Sequence, residues 1–229
     1  MEYSEKVKFY PWEGSEYQYG ISGFDNNGHI IYGTKDNPGI KVAVLGDSHY
    51  CAQQSEAVES LTNDIVKDLL NVESTFEYYK NTYTKFIKSF TGYIDKLTIE
   101  SKKEAWHHIL FYNYVQEAMN APRQSPTSKQ YKEAQMPFFE VLEKYSPDVI
   151  IVLGKRLYNN LPQCGEQYPD LNLSTVLGKN CSIEVWAYEV KGKWIPVFAI
   201  NHPSGAYSYK KWPTAIRCFI QKFLNSYGK

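Results

Sequence analysis

The chain has 229 residues, 43% of them hydrophobic and 22% charged, an ordinary globular composition with enough length to bury one substantial core. Its 25 basic and 25 acidic residues cancel, so the overall charge lends no support to nucleic-acid binding driven by bulk attraction to phosphate. No run of about 18 apolar residues is present, which excludes a spanning helix, and the first residues lack the apolar run of a secretory signal.

These bounds lead us to expect a soluble, cytoplasmic, monomeric protein of one domain over residues 1–229, with residues 1–38 as an N-terminal hairpin extension. Cysteines stand at 51, 164, 181 and 218. None forms a Cys-x-x-Cys pair or a Cys/His cluster at zinc-ligand spacing, so we expect buried thiols in a reducing compartment and neither metal nor cofactor.

Taken in chain order, residues 17–34 place two apolar runs around Asn26-Asn27-Gly28, a hairpin signature. Lys41-Val42-Ala43-Val44-Leu45-Gly46 reads as a strand buried on both faces. From Ala57 to Leu70, Val58, Leu61, Ile65 and Leu69 recur at helical spacing, and Phe76, Tyr79, Tyr83, Phe86 and Phe90 do so in the next segment.

The run from Ile109 to Val115 suits a second buried strand, although Trp106 to Val115 is long enough for a helix. Ala121 to Ser128 contains two prolines and is expected as an exposed loop. Pro137 opens a helix with Phe138, Val141, Leu142 and Tyr145 inward, and Asp148 to Gly154 is the clearest strand. Residues 160–180 read as loop. Ile183 to Val190 and Trp194 to Ile200 read as strands joined at Lys191-Gly192-Lys193, and Pro213 opens a last helix carrying Ile216, Phe219, Ile220, Phe223 and Leu224 on one face. Helix, apolar strand and glycine in this rhythm predict an α/β fold, a mainly parallel sheet with helices on both sides. Ligands of such sheets bind beyond the carboxyl ends of the strands.

Three polar clusters fall at those ends. Gly46-Asp47-Ser48-His49-Tyr50 brings an acid, a hydroxyl and an imidazole behind a glycine that lets backbone turn and ligands approach; turn formation alone would also explain Gly-Asp-Ser. Asn113 follows Phe111 and Tyr112, and its amide can pair with a donor and an acceptor on one planar edge, as a nucleobase pocket requires. An Asn tying two loops together is the competing reading. Asn201-His202-Pro203-Ser204 follows an apolar strand, where Pro203 would restrain the backbone behind His202; a structural histidine is the plainer alternative.

Together these segments resemble the uracil-DNA glycosylase superfamily. Gly46 to Tyr50 resembles its Gly-Gln-Asp-Pro-Tyr water-activating motif, His202-Pro203-Ser204 is similar to its His-Pro-Ser motif, and Asn113 falls where that family places its base-reading Asn. Val149 to Gly154 with Lys155-Arg156-Leu157 resembles its strand-glycine segment. The order agrees across residues 41 to 215.

The resemblance implies a three-layer α/β/α sandwich and hydrolysis of the N-glycosidic bond of a uracil or modified base flipped from single- or double-stranded DNA. It implies that Asp47, with Ser48 and His49 beside it, serves the water and the sugar, that His202 donates to the departing base, and that Asn113 selects the base. Gly46, Tyr50, Phe111 and Ser204 would complete the pocket.

There are departures. The family's acid position falls on Ser48, with Asp47 one residue early and His49 in place of proline, and Gly205-Ala206-Tyr207 replaces the segment carrying the family's wedging leucine, so that Tyr207 or Tyr209 would be the aromatic wedge. Past Glu189 the chain has no acidic residue; Lys210, Lys211 and Arg217 there form either a solvated helix face or a phosphate-tracking edge. Two other functions stay open: a binder of nucleic acid or nucleotide that has lost its water-activating acid, and a Gly-Asp-Ser type serine ester hydrolase using Ser48.

Overall fold

The computed structural model describes residues 2–121, 124–177 and 181–225. Parts of the loop expected at 121–128, of the segment 160–180 and of the basic C-terminal stretch, including Lys229, lie outside these.

Seven strands form one sheet. In spatial order they are β1 (Trp12–Glu13), β5 (Ile109–Asn113), β4 (Val42–Gly46), β6 (Val149–Leu153), β9 (Lys193–Ile200), β8 (Ser182–Val190) and β7 (Glu166–Asn172). The β5, β4, β6 and β9 strands run parallel, while β1, β8 and β7 join antiparallel at the edges. The sheet is therefore mixed, with a parallel centre, and the expectation of a mainly parallel sheet holds for that centre. A separate ribbon pairs β2 (Ile21–Phe24) with β3 (Ile30–Tyr32). Its turn is closed by Asp25, whose Oδ1 accepts from the Asn27 and His29 amides at 2.8 Å each.

Alternation along the central strands sorts their side chains into two cores. Val42, Val44, Ile109, Phe111, Ile151 and Phe198 join a cluster with Val66, Phe86, Trp106 and Phe219, residues of α1 (Leu61–Leu70), α2 (Lys80–Thr91), α3 (Ile99–His107) and α8 (Trp212–Leu224). Ala43, Leu45, Leu110, Tyr112, Ile150 and Val197 turn the other way, toward Tyr131, Phe138, Val141 and Leu157, which belong to α4 (Ser128–Glu133), α5 (Gln135–Tyr145) and α6 (Lys155–Tyr158). Strands apolar at every position are what a sheet covered on both faces requires.

Several expectations are corrected. The first helix begins at Leu61, because a turn bonds the Leu61 amide to Val58 O; Val58 is left exposed and Thr62, Val66 and Leu69 form the buried stripe. Phe76 lies ahead of α2 and is 68% exposed, so the helical spacing there extends past the helix itself.

The α3 helix, missed in the sequence, has one apolar turn and mostly charged neighbours; its readable signal is Thr98, whose Oγ1 caps the Ser101 amide. Ile109 to Asn113 is a strand. Residues expected as loop contain β7 and α7 (Ser174–Leu177). That strand pairs on one side only and buries little besides Leu171, so it carries no apolar alternation to read. Cys51 is buried but Cys164 is exposed, against the expectation of buried thiols. Among the described residues no helix is long and apolar enough to cross a membrane.

The core assignment predicts unequal costs for two phenylalanines. Phe219 is fully buried and its ring lies 4.2 Å from that of Phe198, so Phe219→Ala should cost about 3–5 kcal/mol in urea unfolding. Phe76→Ala should change stability by no more than about 0.5 kcal/mol. Equal losses would contradict this placement of the core.

Candidate functional site

Register levels the four parallel strands at their carboxyl ends. Gly46 is opposite Asn113, Leu45 is opposite Val152 and Leu153 is opposite Ile200, so the loops after all four leave the sheet side by side. The connections diverge at β4, with β5 on one side of it and β6 on the other, and a crevice opens where chain order reverses in this way. Two adjoining chambers occupy it, sharing Asp47, Ser48, Tyr50, Leu153 and His202 in their walls.

The narrower chamber has a volume of about 250 Å³. Phe111, Tyr83, Tyr79 and Tyr50 supply aromatic walls, and Gly46, Asn113 and His202 supply the polar ones. The Tyr83 ring meets Phe111 edge to face at 5.6 Å and Tyr79 at 6.3 Å, a geometry favoured by ring quadrupoles. Tyr79 is fixed in turn by its hydroxyl, which donates to Asp68 Oδ2 at 2.7 Å.

Asn113 is 3% exposed and, as the last residue of β5, carries the Ile109 and Phe111 stripe to the strand end. It lies so close over Gly46 that any Cβ there would collide with Asn113 Oδ1; the glycine is required by approach, not by backbone angle.

His49 is placed differently from its expected role. It is 2% exposed, its Nε2 lies 2.9 Å from Thr62 Oγ1, the Asn113 amide nitrogen stands 3.1 Å from the same ring, and Phe9 packs edge-on against it at 4.8 Å. Burial pushes its pKa from 6.5 down to about 3, because desolvation penalises the charged ring. His49 is a neutral brace behind Asn113, not an accessible acid or base.

Asp47 stands on the loop after β4 and is ion-paired. Its Oδ2 accepts from Arg156 Nε at 3.0 Å and Nη2 at 2.5 Å, and its Oδ1 accepts from the Tyr131 hydroxyl at 2.9 Å. The carboxylate side chain is 10% exposed and the guanidinium side chain 49%. Arg156 Nη1 reaches on to Ser125 Oγ at 2.5 Å. Asp47 thus ties the loop after β4 to α4 and α6, and Arg156 extends the link to the segment before α4.

Arg156 and Tyr131 were not singled out from the sequence. Asp47 and Arg156 stand one and three residues past the ends of neighbouring strands, a signal that becomes legible only once strand order is known.

His202 sits on the loop after β9. The Ser204 amide, which can only donate, points to its Nδ1 at 3.3 Å, with Ser204 Oγ at 2.7 Å. Nδ1 is therefore an acceptor and the neutral ring carries its proton on Nε2, leaving that edge as a donor. One side of His202 is open to solvent while protein crowds the other. That burial lowers its pKa below 6.5, opposed by Asp47 and assisted by Arg156, so the ring is neutral at pH 7. Gly154, at φ 116°, lets β6 turn beneath it; a Cβ there would stand 3.2 Å from His202 Cβ.

The wider chamber, about 410 Å³, is lined by Gln124, Lys155, Arg156 and Ser204 among others. Among the described residues Ser48 has no hydrogen bond to either imidazole, so no serine–histidine pair is assembled there.

Tyr207 lines neither chamber: its ring packs on the core, with Tyr209 edge-on at 5.6 Å. Tyr209 is 37% exposed and is the freer of the two. The basic edge is dispersed, with Lys211 lying over the Trp212 ring and the Arg217 guanidinium against the Gly28 turn. Among the described residues no group of three His, Cys, Asp or Glu side chains is placed to hold a metal ion. No known family pattern matches the chain, and no characterised protein compared with it is similar in sequence.

Buried neutral His49 predicts a pH signature. Its folded-state pKa lies below the unfolded value, so the stability it contributes is complete above pH 6.5 and is lost as pH falls toward about 3. Unfolding free energy measured between pH 6.5 and 4 should include a decline of up to about 1.4 kcal/mol per pH unit from this group. That part should vanish in His49→Gln, and an unchanged slope in the variant would refute the assignment.

Proposed function

We propose that the chain is a glycosylase of the uracil-DNA glycosylase type, hydrolysing the N-glycosidic bond of a base held in the narrower chamber. One observation carries this reading: Asn113, Phe111, Tyr50 and His202, distant along the chain, line a single cavity of about 250 Å³. That is smaller than the roughly 300–1,000 Å³ of pockets for drug-sized ligands, and its aromatic walls with one amide and one imidazole suit a flat heterocycle with polar edges. The resemblance in motif order supports the same reading.

Each residue then has a physical task. Tyr83, Phe111 and Tyr50 enclose the ring faces, excluding water and bulky bases. Asn113, braced by His49 and pressed against Gly46, presents its amide to the ring edge. As the C1′–N bond breaks, its electron pair leaves on the base, and the Nε2–H of neutral His202 stabilises the charge gathering on the base oxygen. Water adds its oxygen to C1′, and the proton it loses ends on the released base anion, so that a neutral base and a sugar hydroxylated at C1′ are the products. Asp47, the one carboxylate among the described residues lining the chamber, balances the cationic sugar.

A second reading has its own support. Asp47 is already paired with Arg156, which favours a protein that holds the base and does not cleave, the same fold having lost its water-activating acid.

Base release from oligodeoxynucleotides carrying single uracil or other modified bases separates the two. Hydrolysis is expected from the wild type, with a loss of about 10²–10³-fold in His202→Ala and a comparable fall in Asp47→Asn. Binding without any release would establish the second reading, and release untouched by His202→Ala would contradict the first.

A further inference from the structure

The wider chamber has no task in base recognition, yet it is continuous with the base chamber through Asp47, Ser48 and His202. Its chemistry is cationic and hydroxylic. Lys155 Nζ has no hydrogen bond or ion pair among the described residues, the Arg156 side chain is 49% exposed, and Gln124 and Ser204 add neutral donors. Asp47 is the one carboxylate among the described residues lining it. The guanidinium spends Nε and Nη2 on a single oxygen, Asp47 Oδ2, although its planar fork is suited to binding two oxygens of one anion.

We propose that the wider chamber receives the phosphate of the nucleotide whose base fills the narrower one, and that this phosphate draws Arg156 away from Asp47. The inference rests on the nucleobase reading of the narrower chamber and names the ligand class, a nucleotide, either free or within a strand. A terminal phosphate brings more charge and more acceptor oxygens than the carboxylate it competes with, whereas a phosphodiester within a strand matches the carboxylate in both and owes its advantage to Lys155 on the same wall. Once Arg156 turns to it, Asp47 keeps only the Tyr131 hydroxyl and stands as an uncompensated carboxylate beside the sugar. The resting ion pair is then a latch, and the substrate's own phosphate opens it. Lys155 adds a second charge from the same wall.

Calorimetric titration tests this with the common deoxynucleosides and deoxyuridine, their 5′- and 3′-monophosphates, and trinucleotides bearing the same central base. At least one monophosphate or trinucleotide should bind about tenfold or more tightly than its nucleoside. Tighter binding by the monophosphate identifies a free nucleotide, and by the trinucleotide a strand.

Lys155→Gln, a change at an exposed side chain with no partner among the described residues, should shrink that margin. Asp47→Asn should widen it, because Arg156 no longer has a carboxylate to leave. Nucleosides that bind as well as their phosphates, in the wild type and in Asp47→Asn alike, would overturn the phosphate site and leave the base chamber standing. A phosphate preference that Asp47→Asn fails to widen would overturn the latch. If neither nucleosides nor nucleotides bind, the nucleobase reading falls as well.

Discussion

Four parallel strands can bring distant residues to one place only if they stop at a common level. Here β4, β5, β6 and β9 do so, with Gly46, Asn113, Leu153 and Ile200 aligned across the sheet by register. A slip of one residue in any pairing would turn that strand's side chains to the opposite core, and both faces are apolar and filled. The cores therefore hold the register, and the register holds the site. Two close approaches at this level depend on glycine: the Asn113 amide lies over Gly46, and His202 packs against Gly154.

Within that frame, electrostatics divides the site. Desolvation keeps His49 neutral, so it can brace Asn113 without importing charge. Asp47 is nearly buried, and Arg156 and the Tyr131 hydroxyl supply the hydrogen-bonding partners that a desolvated carboxylate requires. In the proposed chemistry the acid is thus held in reserve by an arginine whose side chain is half exposed. Burial lowers the pKa of His202 and the Ser204 amide fixes its tautomer, which suits the hydrogen-bond donor that the proposed reaction needs.

Much of the fold was legible because buried strands and amphipathic helices leave apolar patterns. Val42 to Gly46, Val149 to Leu153 and the β8–β9 pair were readable for that reason. The α3 helix was not, since its surface is charged around one buried turn at Ala105 and Trp106, and β7 was not, since an edge strand with exposed alternate positions looks like loop.

At the site, Gly46, Asn113 and His202 could be found as polar residues closing apolar runs. The roles of Asp47 and His49 could not be assigned from adjacency in a motif. Asp47 and His49, two residues apart in the loop after β4, leave it in different directions, one toward Arg156 and the other into the buried space beside Thr62 and Phe9. Tyr79 and Tyr83 were read as helix packing; Tyr83 packs from α2 while Tyr79 precedes that helix, and both wall the narrower chamber.

A crystal structure of the protein soaked with a free pyrimidine base tests the central claim most directly. The account predicts the ring enclosed by Tyr50, Tyr83 and Phe111, with Asn113 and the Nε2 of His202 each within about 3.2 Å of its edge. A base bound elsewhere, or a chamber filled by the Tyr50 side chain with Asn113 and His202 turned from it, would contradict it.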